Sequence, residues 1–594
     1  MSFLPINRKE MELKGINVPD FVLVTGDAYI DHPSFGSAII GKYLEKFGYS
    51  VCILAQPNYK IIDDFKKFGK PRLGFLVTSG NIDSMVNHYS VNKKRRKDDL
   101  YTPNNVNNKR PDRATIVYAN KIKEAYKDVP IILGGIEASL RRFAHYDYWQ
   151  DKIRRSILLD SKADMIVYGM GERTIIEIAD SLNSGLSIED LTYIPGTVFK
   201  TKDIESVYNC ETLPSFEDIN NSKKAFMLSF LTQEKNQNFS TGKTLAEEYN
   251  GLFIVQNPPQ MPLSRQELDD VFSMEFERKA HPSYEQIGHI KAIDEVKFSI
   301  NYNRGCLGGC NFCALSYHQG KEVVSRTQES VVNEAKKIIN DTDFKGYIHD
   351  IGGPTANFTS NMCEKMEKGG ACTHQKCLSN KPCKHLKINH FEYLNILRKV
   401  RELDKVKKVF VRSGLRYDYL INDKNDTFIT ELAKHHVSGQ LRIAPEHISK
   451  NALAYMGKPN KHVYFKFLEK FNKVNKSLGK DQYVVPYLMS SHPGCTLDDA
   501  IELAEYLRDI NHQPLQVQDF YPTPSTLSTA MYYTELNPYN FKKMYVPKNR
   551  EDKAMQRALI QYKNPKNKDI VINALKKANR FDLIGNDGKA LIRK

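Results

Sequence analysis

Short apolar runs alternate with amphipathic helical segments over two long parts of the chain, and this alternation limits the possible folds more than any other feature. In residues 1–202 the apolar runs are FVLVTG, VCILAQ, RLGFLVTS, PIILGG and ADMIVYG. Helix-like segments such as FGSAIIGKYLEKFG and ERTIIEIADSLNSG follow several of them. Strands that alternate with helices build parallel sheets, so we predict an open, Rossmann-like parallel α/β domain in this part. Ligands of such sheets bind at the carboxyl ends of the strands.

The alternation resumes in residues 294–535. Six candidate strands begin there, at Val296, Phe344, Val406, Gly439, Gln482 and Leu515. Amphipathic helices such as RTQESVVNEAKKIIN and TLDDAIELAEYLRDI lie between them. Six βα units predict a partial (β/α)6 barrel with its functional residues at the carboxyl ends of the strands. The pattern is weaker in residues 203–293, which we interpret as a connector, and residues 536–594 form a small basic C-terminal extension.

The composition is that of an ordinary globular protein, with 41% hydrophobic and 26% charged residues in a chain of 594. No apolar run approaches the ~18 residues of a spanning helix, and the start MSFLPINRKEMELKG lacks the apolar core of a signal peptide. We therefore expect a cytoplasmic protein with no membrane partner. The net charge of +16 permits an RNA partner, although the densest basic run, at residues 93–97, is more typical of a solvated loop.

Three of the ten cysteines lie in the segment RGCLGGCNFC. Cys306, Cys310 and Cys313 have the spacing C-x3-C-x2-C, and in a reducing compartment such a group favours metal binding over disulfides. A structural zinc site needs a fourth ligand, and the nearest histidine, His318, is poorly spaced for that role. Three ligands with one open position are typical of catalytic metal sites. The alternatives are a zinc knuckle and a buried group of thiols.

This triplet, which follows the first predicted barrel strand and has Phe312 before its last cysteine, resembles the radical S-adenosylmethionine (SAM) enzymes. The resemblance implies that Cys306, Cys310 and Cys313 hold a [4Fe-4S] cluster whose fourth iron binds SAM. Reductive cleavage of SAM in that superfamily gives methionine and a 5'-deoxyadenosyl radical. The resemblance also implies an electron donor of the flavodoxin or ferredoxin class.

Further matches follow the order of the barrel strands. GGPTAN ends the second strand, where the superfamily has Gly-Gly-Glu, but here Pro354 replaces the glutamate and only backbone contacts carry over. VRSGLR and RIAPEH end the third and fourth strands. The candidate cofactor-binding residues are Phe312, Gly352, Gly353, Arg412, Ser413 and Glu446. For the polar ones, a capping or ion-pair role is an equal alternative. No catalytic residue is identified.

Longer segments extend the resemblance over nearly the whole chain. DAYIDHPSFGSAIIGKYLE, NPPQMPLSRQELDDVF, RGCLGGCNFCALSYHQGK, SHPGCT and VQDFYPTPSTLSTAMYYT resemble the YgiQ-type radical SAM proteins. LGGIEAS and ADMIVYGMGE resemble parts of cobalamin-binding domains, which often carry the ligand motif D-x-H-x-x-G. In DHPSFG, Asp31 and His32 are adjacent, so the sequence leaves cobalamin binding open, and His32 has a capping role as its alternative.

A second group of cysteines lies in the segment CEKMEKGGACTHQKCLSNKPC, which follows GGPTAN. Cys363, Cys372, Cys377 and Cys383 can form a site closed by four thiolates, and we predict zinc or a second iron–sulfur cluster there. His374 or His385 can replace one ligand. The other cysteines, Cys52, Cys210 and Cys495, are isolated and need no role beyond packing.

The sequence therefore predicts a radical SAM enzyme, whose substrate is an RNA base, a protein side chain or a metabolite. The alternative is a non-enzymatic metal-binding protein that retains the barrel as an RNA-associated or scaffold module. The substrate and the oligomeric state have no signal in the sequence.

Overall fold

The computed structural model describes residues 3–373 and 375–593. Its N-terminal sheet has five parallel strands, in the order Val51–Ala55, Phe21–Thr25, Gly74–Thr78, Ile131–Leu133 and Met165–Val167. Numbered along the chain, these strands have the order 2-1-3-4-5 of a doubly wound sheet. All five were predicted from the apolar runs, and the predicted fold class is confirmed.

Both faces of this sheet are buried. Along the strand Phe21–Thr25, Phe21 and Leu23 belong to one hydrophobic cluster, and Val22 and Val24 belong to the other. The helices Gly36–Lys46 and Glu172–Asn183 cover the first face, and the helix Ala114–Ala125 covers the second. A strand that is buried on both sides reads as a continuous apolar run, which explains why the sequence showed these strands so clearly.

Four further strands extend the N-terminal sheet, and three of them come from the segment between residues 203 and 293. The added strands are Thr197–Thr201, Cys210–Thr212, Thr244–Tyr249 and Leu252–Gln256. Three of their four pairings in the sheet are antiparallel. Their sequences lack a clear apolar pattern, since TLAEEY places the buried Glu247 in the middle of a strand. Its carboxylate accepts a hydrogen bond from Ala144 N at 2.7 Å, and burial raises the pKa of Glu247 to about 7.

A buried ion network fixes the loops at the carboxyl ends of the N-terminal strands. Arg110 is fully buried and lies 2.8 Å from Asp27 Oδ1 and 3.3 Å from Asp99 Oδ2. Asp27 also accepts a hydrogen bond from Asn81 N at 2.7 Å. A Cβ on Gly80 would lie 2.1 Å from Asp27 Oδ1, and the φ of Gly80 is +106°, so this position requires glycine. Buried charges of this kind are stable only when they are paired.

The second part of the chain has the six predicted strands in the predicted order. They are Ser299–Asn301, the interrupted pair Tyr347–Ile348 and Asp350–Gly352, then Lys408–Val409, Gln440–Glu446, Tyr483–Ser490 and Gln518–Asp519. Every pairing among them is parallel. The surrounding helices are Gln328–Ile338, Phe391–Arg401, Thr427–Glu431, Lys461–Ser477 and Leu497–Asp509. Thr496 caps the last of these helices and forms a capping box with Asp499.

The two parts of the molecule are packed together. Tyr146 and Tyr148 of the N-terminal part share a hydrophobic cluster with Phe520 and Tyr532, and Trp149 packs against Tyr521 at 5.9 Å between ring centroids. The C-terminal helices Arg550–Ile560 and Lys568–Lys577 pack on the helix Leu497–Asp509. Among the described residues, no helix has the length and apolarity that crossing a bilayer requires. The domain boundaries given above stay predictions.

Candidate active site

A well-formed cavity lies where the strand ends of the two parts meet. Its volume is about 540 Å³. The N-terminal sheet contributes Thr78, Gly80, Gly134, Gly135, Gly169 and Gly171 to its wall, and the barrel contributes Asn301, Asn303, Arg304, Gly353 and Pro354. These residues lie at or after the carboxyl ends of the strands, the position where open parallel sheets and barrels bind ligands. We call this space the interdomain cavity.

The cysteine triplet lies on the loop between the strand Asn303–Arg304 and the helix Leu315–His318. Cys306, Cys310 and Cys313 are each half-buried. Burial, with a contribution from the nearby sulfurs of Cys310 and Cys306, raises the pKa of the Cys313 thiol to about 12. A bound cation would reverse this effect, because metal coordination favours the thiolate.

A buried arginine contacts the triplet. Arg416 Nη1 donates a hydrogen bond to Cys310 Sγ at 3.4 Å, while its Nε donates to Asp418 Oδ1 at 2.8 Å. The loop leaves room for this guanidinium at Gly308, where a Cβ would lie 2.1 Å from Arg416 Nη1 and 3.3 Å from Cys306 Sγ. On the other side, Cys306 Sγ lies 3.4 Å from Thr355 Oγ1. Sequence analysis noted Arg416 in VRSGLR but did not connect it with the thiols.

Lys376 also contacts the triplet loop, and this contact was not predicted from the sequence. Its ammonium donates hydrogen bonds to Gly309 O at 2.8 Å and to Asn311 Oδ1 at 2.6 Å, both on the triplet loop. Burial lowers the pKa of Lys376, and the nearby Cys310 acts in the opposite direction. Lys376 precedes Cys377, so the second cysteine group and the triplet are joined by this side chain. A single lysine in a polar loop gives no sequence signal for such a contact.

The candidate SAM-binding glycines lie against polar partners. A Cβ on Gly352 would lie 1.6 Å from Ser413 Oγ, and a Cβ on Gly353 would lie 2.2 Å from Asn303 Oδ1. Ser413 Oγ donates to Asp350 Oδ2 at 2.5 Å. The structure therefore brings Gly352 and Ser413 together at the ends of the second and third barrel strands.

The other candidates are more scattered. Arg412 is exposed, and its guanidinium lies 5.3 Å from the centre of the Phe410 ring. Phe312 is half-buried, 6.1 Å from the His492 ring. Glu446 is buried and has a φ of +67°, a conformation that a residue with a side chain rarely adopts. Burial raises the pKa of Glu446, while Lys458 and Arg416 lower it, so Glu446 is electrostatically linked to the arginine at the triplet.

The second cysteine group also comes together. Cys363 precedes the helix Glu364–Gly369 and is buried, Cys377 and Cys383 are half-buried, and Cys372 is exposed. Burial raises the pKa of the Cys377 thiol to about 12, and the charges of Cys363, Cys372 and Cys383 add to this. Three of these cysteines share a hydrophobic cluster with Cys306 and Leu307 of the triplet loop. His374 lies outside the described residues.

Within residues 3–373 and 375–593, no three or more His, Cys, Asp or Glu side chains are placed to hold one metal ion. A mononuclear zinc site requires its four ligands to converge on one atom. In a four-iron cluster each thiolate binds a different iron, so its ligands lie around a larger body.

His32 does not reach the interdomain cavity, whose wall includes the neighbouring Pro33 and Ser34. The His32 ring is buried, and its Nδ1 accepts a hydrogen bond from Ser34 N at 3.0 Å. This is the contact expected if His32 orients the turn before the helix Gly36–Lys46. The residues present therefore do not fit an axial imidazole from His32.

Comparison with known proteins places this chain in a family. Residues 3–299 match the Radical SAM N-terminal family, and residues 515–594 match a domain of unknown function, DUF3362. A UPF0313 protein from Clostridium perfringens (strain SM101 / Type A) is 58% identical over 592 residues, which are 100% of this chain and 89% of that protein. A UPF0313 protein from Clostridium botulinum (strain Kyoto / Type A2) is 54% identical over 592 residues, covering 100% of this chain and 92% of that protein.

The chain belongs to the UPF0313 family of YgiQ-type radical SAM proteins. This confirms the family resemblance found in the sequence. Among solved structures, the radical SAM methyltransferase TsrM from Kitasatospora setae, with cobalamin and a [4Fe-4S] cluster bound, has a TM-score of 0.46 at 12% identity, covering 94% of this chain and 99% of that one. The cobalamin-dependent SAM radical enzyme OxsB, with aqua-cobalamin bound, has a TM-score of 0.44 at 12% identity, covering 97% and 64%.

In this UPF0313 chain, Gly308→Ala tests the packing of the triplet loop. The added methyl group would displace Arg416 from Cys310, because it would lie 2.1 Å from Arg416 Nη1. We expect iron binding after anaerobic reconstitution to weaken roughly tenfold, the usual effect of losing a supporting contact at a metal site. Gly414→Ala is the matched control, since a Cβ there meets nothing within 4 Å. Equal iron content in the two variants would contradict the role given to Gly308.

Proposed function

We propose that this protein is a radical SAM enzyme in which Cys306, Cys310 and Cys313 hold a [4Fe-4S] cluster. The observation that carries the proposal is the set of three half-buried thiols on one glycine-rich loop after the first barrel strand, with a buried arginine donating a hydrogen bond to one of them. When bound, a reduced cluster supplies the electron that cleaves SAM to methionine and a 5'-deoxyadenosyl radical. The electron comes from a donor of the flavodoxin or ferredoxin class.

The residues around the triplet have the properties that such a site needs. The Arg416 guanidinium places a positive charge 3.4 Å from Cys310 Sγ, where the sulfur of a bound cluster would carry negative charge. Lys376 holds the loop through Gly309 and Asn311 and adds a second positive charge. Half-burial of the three cysteines limits the access of water.

SAM binds, in this proposal, at the ends of the second to fourth barrel strands. Backbone groups of Gly352 and Gly353 face its amino acid part, and Pro354 contributes no carboxylate there. Ser413 and Glu446 are the polar side chains that contact SAM in this proposal. Phe312 is part of the cluster loop. Arg412 is on the surface and reaches SAM only if its side chain turns inward.

The substrate enters the interdomain cavity, whose wall includes Arg304 on the barrel side and the glycine-rich turns of the N-terminal sheet. A cavity of about 540 Å³ has the size of a typical small-molecule site, which favours a small molecule over RNA or a protein side chain. The basic segment at residues 93–97 is an exposed loop, as the sequence favoured, and it is the surface that an RNA partner would contact. We assign no step to cobalamin, since His32 lies outside the cavity.

We further propose that Cys363, Cys372, Cys377 and Cys383 hold a second metal centre. The centre is zinc or a second iron–sulfur cluster, and the proposal is supported by the proximity of Cys363, Cys372 and Cys383 to Cys377, whose pKa they help to raise. Closed by four thiolates, this centre leaves no position for a substrate, so its role is structural or in electron transfer. It would order the loop that presents Lys376 to the triplet.

The central reaction is tested by replacing each triplet cysteine with alanine. We expect Cys306→Ala, Cys310→Ala and Cys313→Ala to lose about four iron atoms per chain, the content of one cluster, and to form no 5'-deoxyadenosine from SAM under strong reductant. Cys210→Ala is the control, because this isolated thiol lies in an outer strand of the N-terminal sheet. A fully reconstituted wild-type protein that forms no 5'-deoxyadenosine would favour the non-enzymatic scaffold instead.

The second centre is tested with the double variant Cys372→Ala, Cys377→Ala. Removal of two ligands should abolish one centre while the triplet cluster stays, so iron and sulfide per chain should fall by one cluster's content. A loss of zinc with unchanged sulfide would identify a zinc site. Unchanged iron, zinc and sulfide would show that the group holds no metal.

A further inference from the structure

Arg142 is a buried arginine with no carboxylate partner. Its side chain is buried, with 4% of the residue exposed, and no ion pair joins it to a carboxylate in the described part of the chain. Its Nε has no hydrogen-bond partner, and its guanidinium lies 4.3 Å from the centre of the Tyr168 ring. The neighbouring Arg141, by contrast, is paired with Asp83. Burying a charge without a partner lowers the stability of the fold, so an unpaired buried arginine indicates that a ligand binds there.

Arg142 lines a small cavity beside the interdomain cavity. Its volume is about 80 Å³, and we call it the arginine pocket. The two spaces share wall residues, namely Gly169, Met170, Arg304, His318 and Gln319. The two spaces are therefore adjacent.

The wall of the arginine pocket has an excess of hydrogen-bond donors. Arg142 Nε, Arg304 Nη2 and Gln237 Nε2 are buried atoms without a partner, and all three can only donate. The hydroxyl of Tyr317, also on this wall, has no partner either. In native proteins most buried polar atoms are paired, so a group of orphaned donors around one space indicates a missing acceptor.

The three arginines on the wall of the pocket differ in their partners. Of the three arginines on its wall, Arg173 pairs with Glu267 at 2.6 Å and Arg304 pairs with Glu172 at 2.6 Å. The one acid on the wall, Glu322, accepts a hydrogen bond from Ala371 N at 2.8 Å. Arg142 is the cation that remains, and Arg304 keeps one free donor after its pairing.

We propose that the arginine pocket binds an oxyanion, a phosphate or carboxylate group carried by the small-molecule substrate in the interdomain cavity. Planar guanidinium groups suit both kinds of anion, because their N–H donors match a pair of oxygens. Arg304 lies two residues before Cys306, so the anion anchors the substrate beside the triplet loop. This inference rests on the proposed function for the identity of the ligand as substrate, whereas anion binding itself does not.

Binding of inorganic phosphate and of acetate to the full-length protein tests the proposal. We expect saturable binding of at least one probe by calorimetry, and the preferred probe tells a phosphate from a carboxylate. Arg142→Met should weaken that binding at least tenfold. The exposed Arg155→Met is the control for loss of a positive charge and should bind as the wild type does.

Thermal unfolding without a probe separates binding from a structural role. Arg142→Met removes an unpaired buried charge, so we expect it to unfold at the wild-type temperature or above. A lower unfolding temperature would mean that Arg142 stabilises the fold, and this would overturn the proposal. Gln237→Leu is a second variant for the case that Arg142→Met does not fold, and it should weaken probe binding several-fold.

Absence of saturable binding by the wild type, or equal binding by all variants, would also overturn the proposal. The measurement is made on both cluster-free and reconstituted protein, so its result does not depend on radical chemistry. If 5'-deoxyadenosine forms but neither probe binds, only the arginine pocket is wrong. If a probe binds in an Arg142-dependent way but no 5'-deoxyadenosine forms, the proposed function fails and the anion site stands.

Discussion

Strands of the N-terminal sheet and the first two barrel strands end at the same cavity, and this shared direction places residues of both parts on its wall. The N-terminal sheet brings the turns after Thr78, Leu133 and Val167 to one wall, and the barrel brings Arg304 and Gly353 to the other. Parallel strands place their carboxyl ends on one edge, so each sheet has a single edge that can serve a ligand. Packing the two edges together encloses the space between them, and the aromatic contacts around Tyr148 and Phe520 hold them there.

Two buried arginines differ in how their positive charge is compensated. Arg416 forms an ion pair with Asp418 and donates a further hydrogen bond to Cys310. Its buried charge is therefore compensated within the protein while it also contacts the thiol loop. Arg142 has no such partner and faces a space lined by further orphaned donors. The first arrangement is complete in the protein alone, whereas the second is completed by an anion. Arg416 therefore belongs to the proposed cluster site, and Arg142 belongs to the proposed anion site for the substrate.

Sequence reasoning predicted the strands that are buried on both faces, such as Phe21–Thr25, because burial on two sides leaves an unbroken apolar run. It also found the triplet, since its ligands are neighbours in the chain. It did not find the outer strand Thr244–Tyr249, whose Glu247 breaks the pattern. The roles of Lys376 and Arg142 were not predicted either, because they depend on contacts between distant segments of the chain, which leave no local pattern in the sequence. The spacing of the second cysteine group predicted neighbouring thiols but not which of them would be exposed.

The central claim is that the triplet holds a cluster with one iron open to SAM. Electron paramagnetic resonance of the reduced protein tests this most directly, in a variant with Cys363, Cys372, Cys377 and Cys383 replaced by alanine so that only the triplet can bind a cluster. The account predicts a [4Fe-4S] signal whose g-values shift when SAM is added, and which is absent when Cys310 is also replaced. A signal that SAM leaves unchanged, or one that persists without Cys310, would contradict the account.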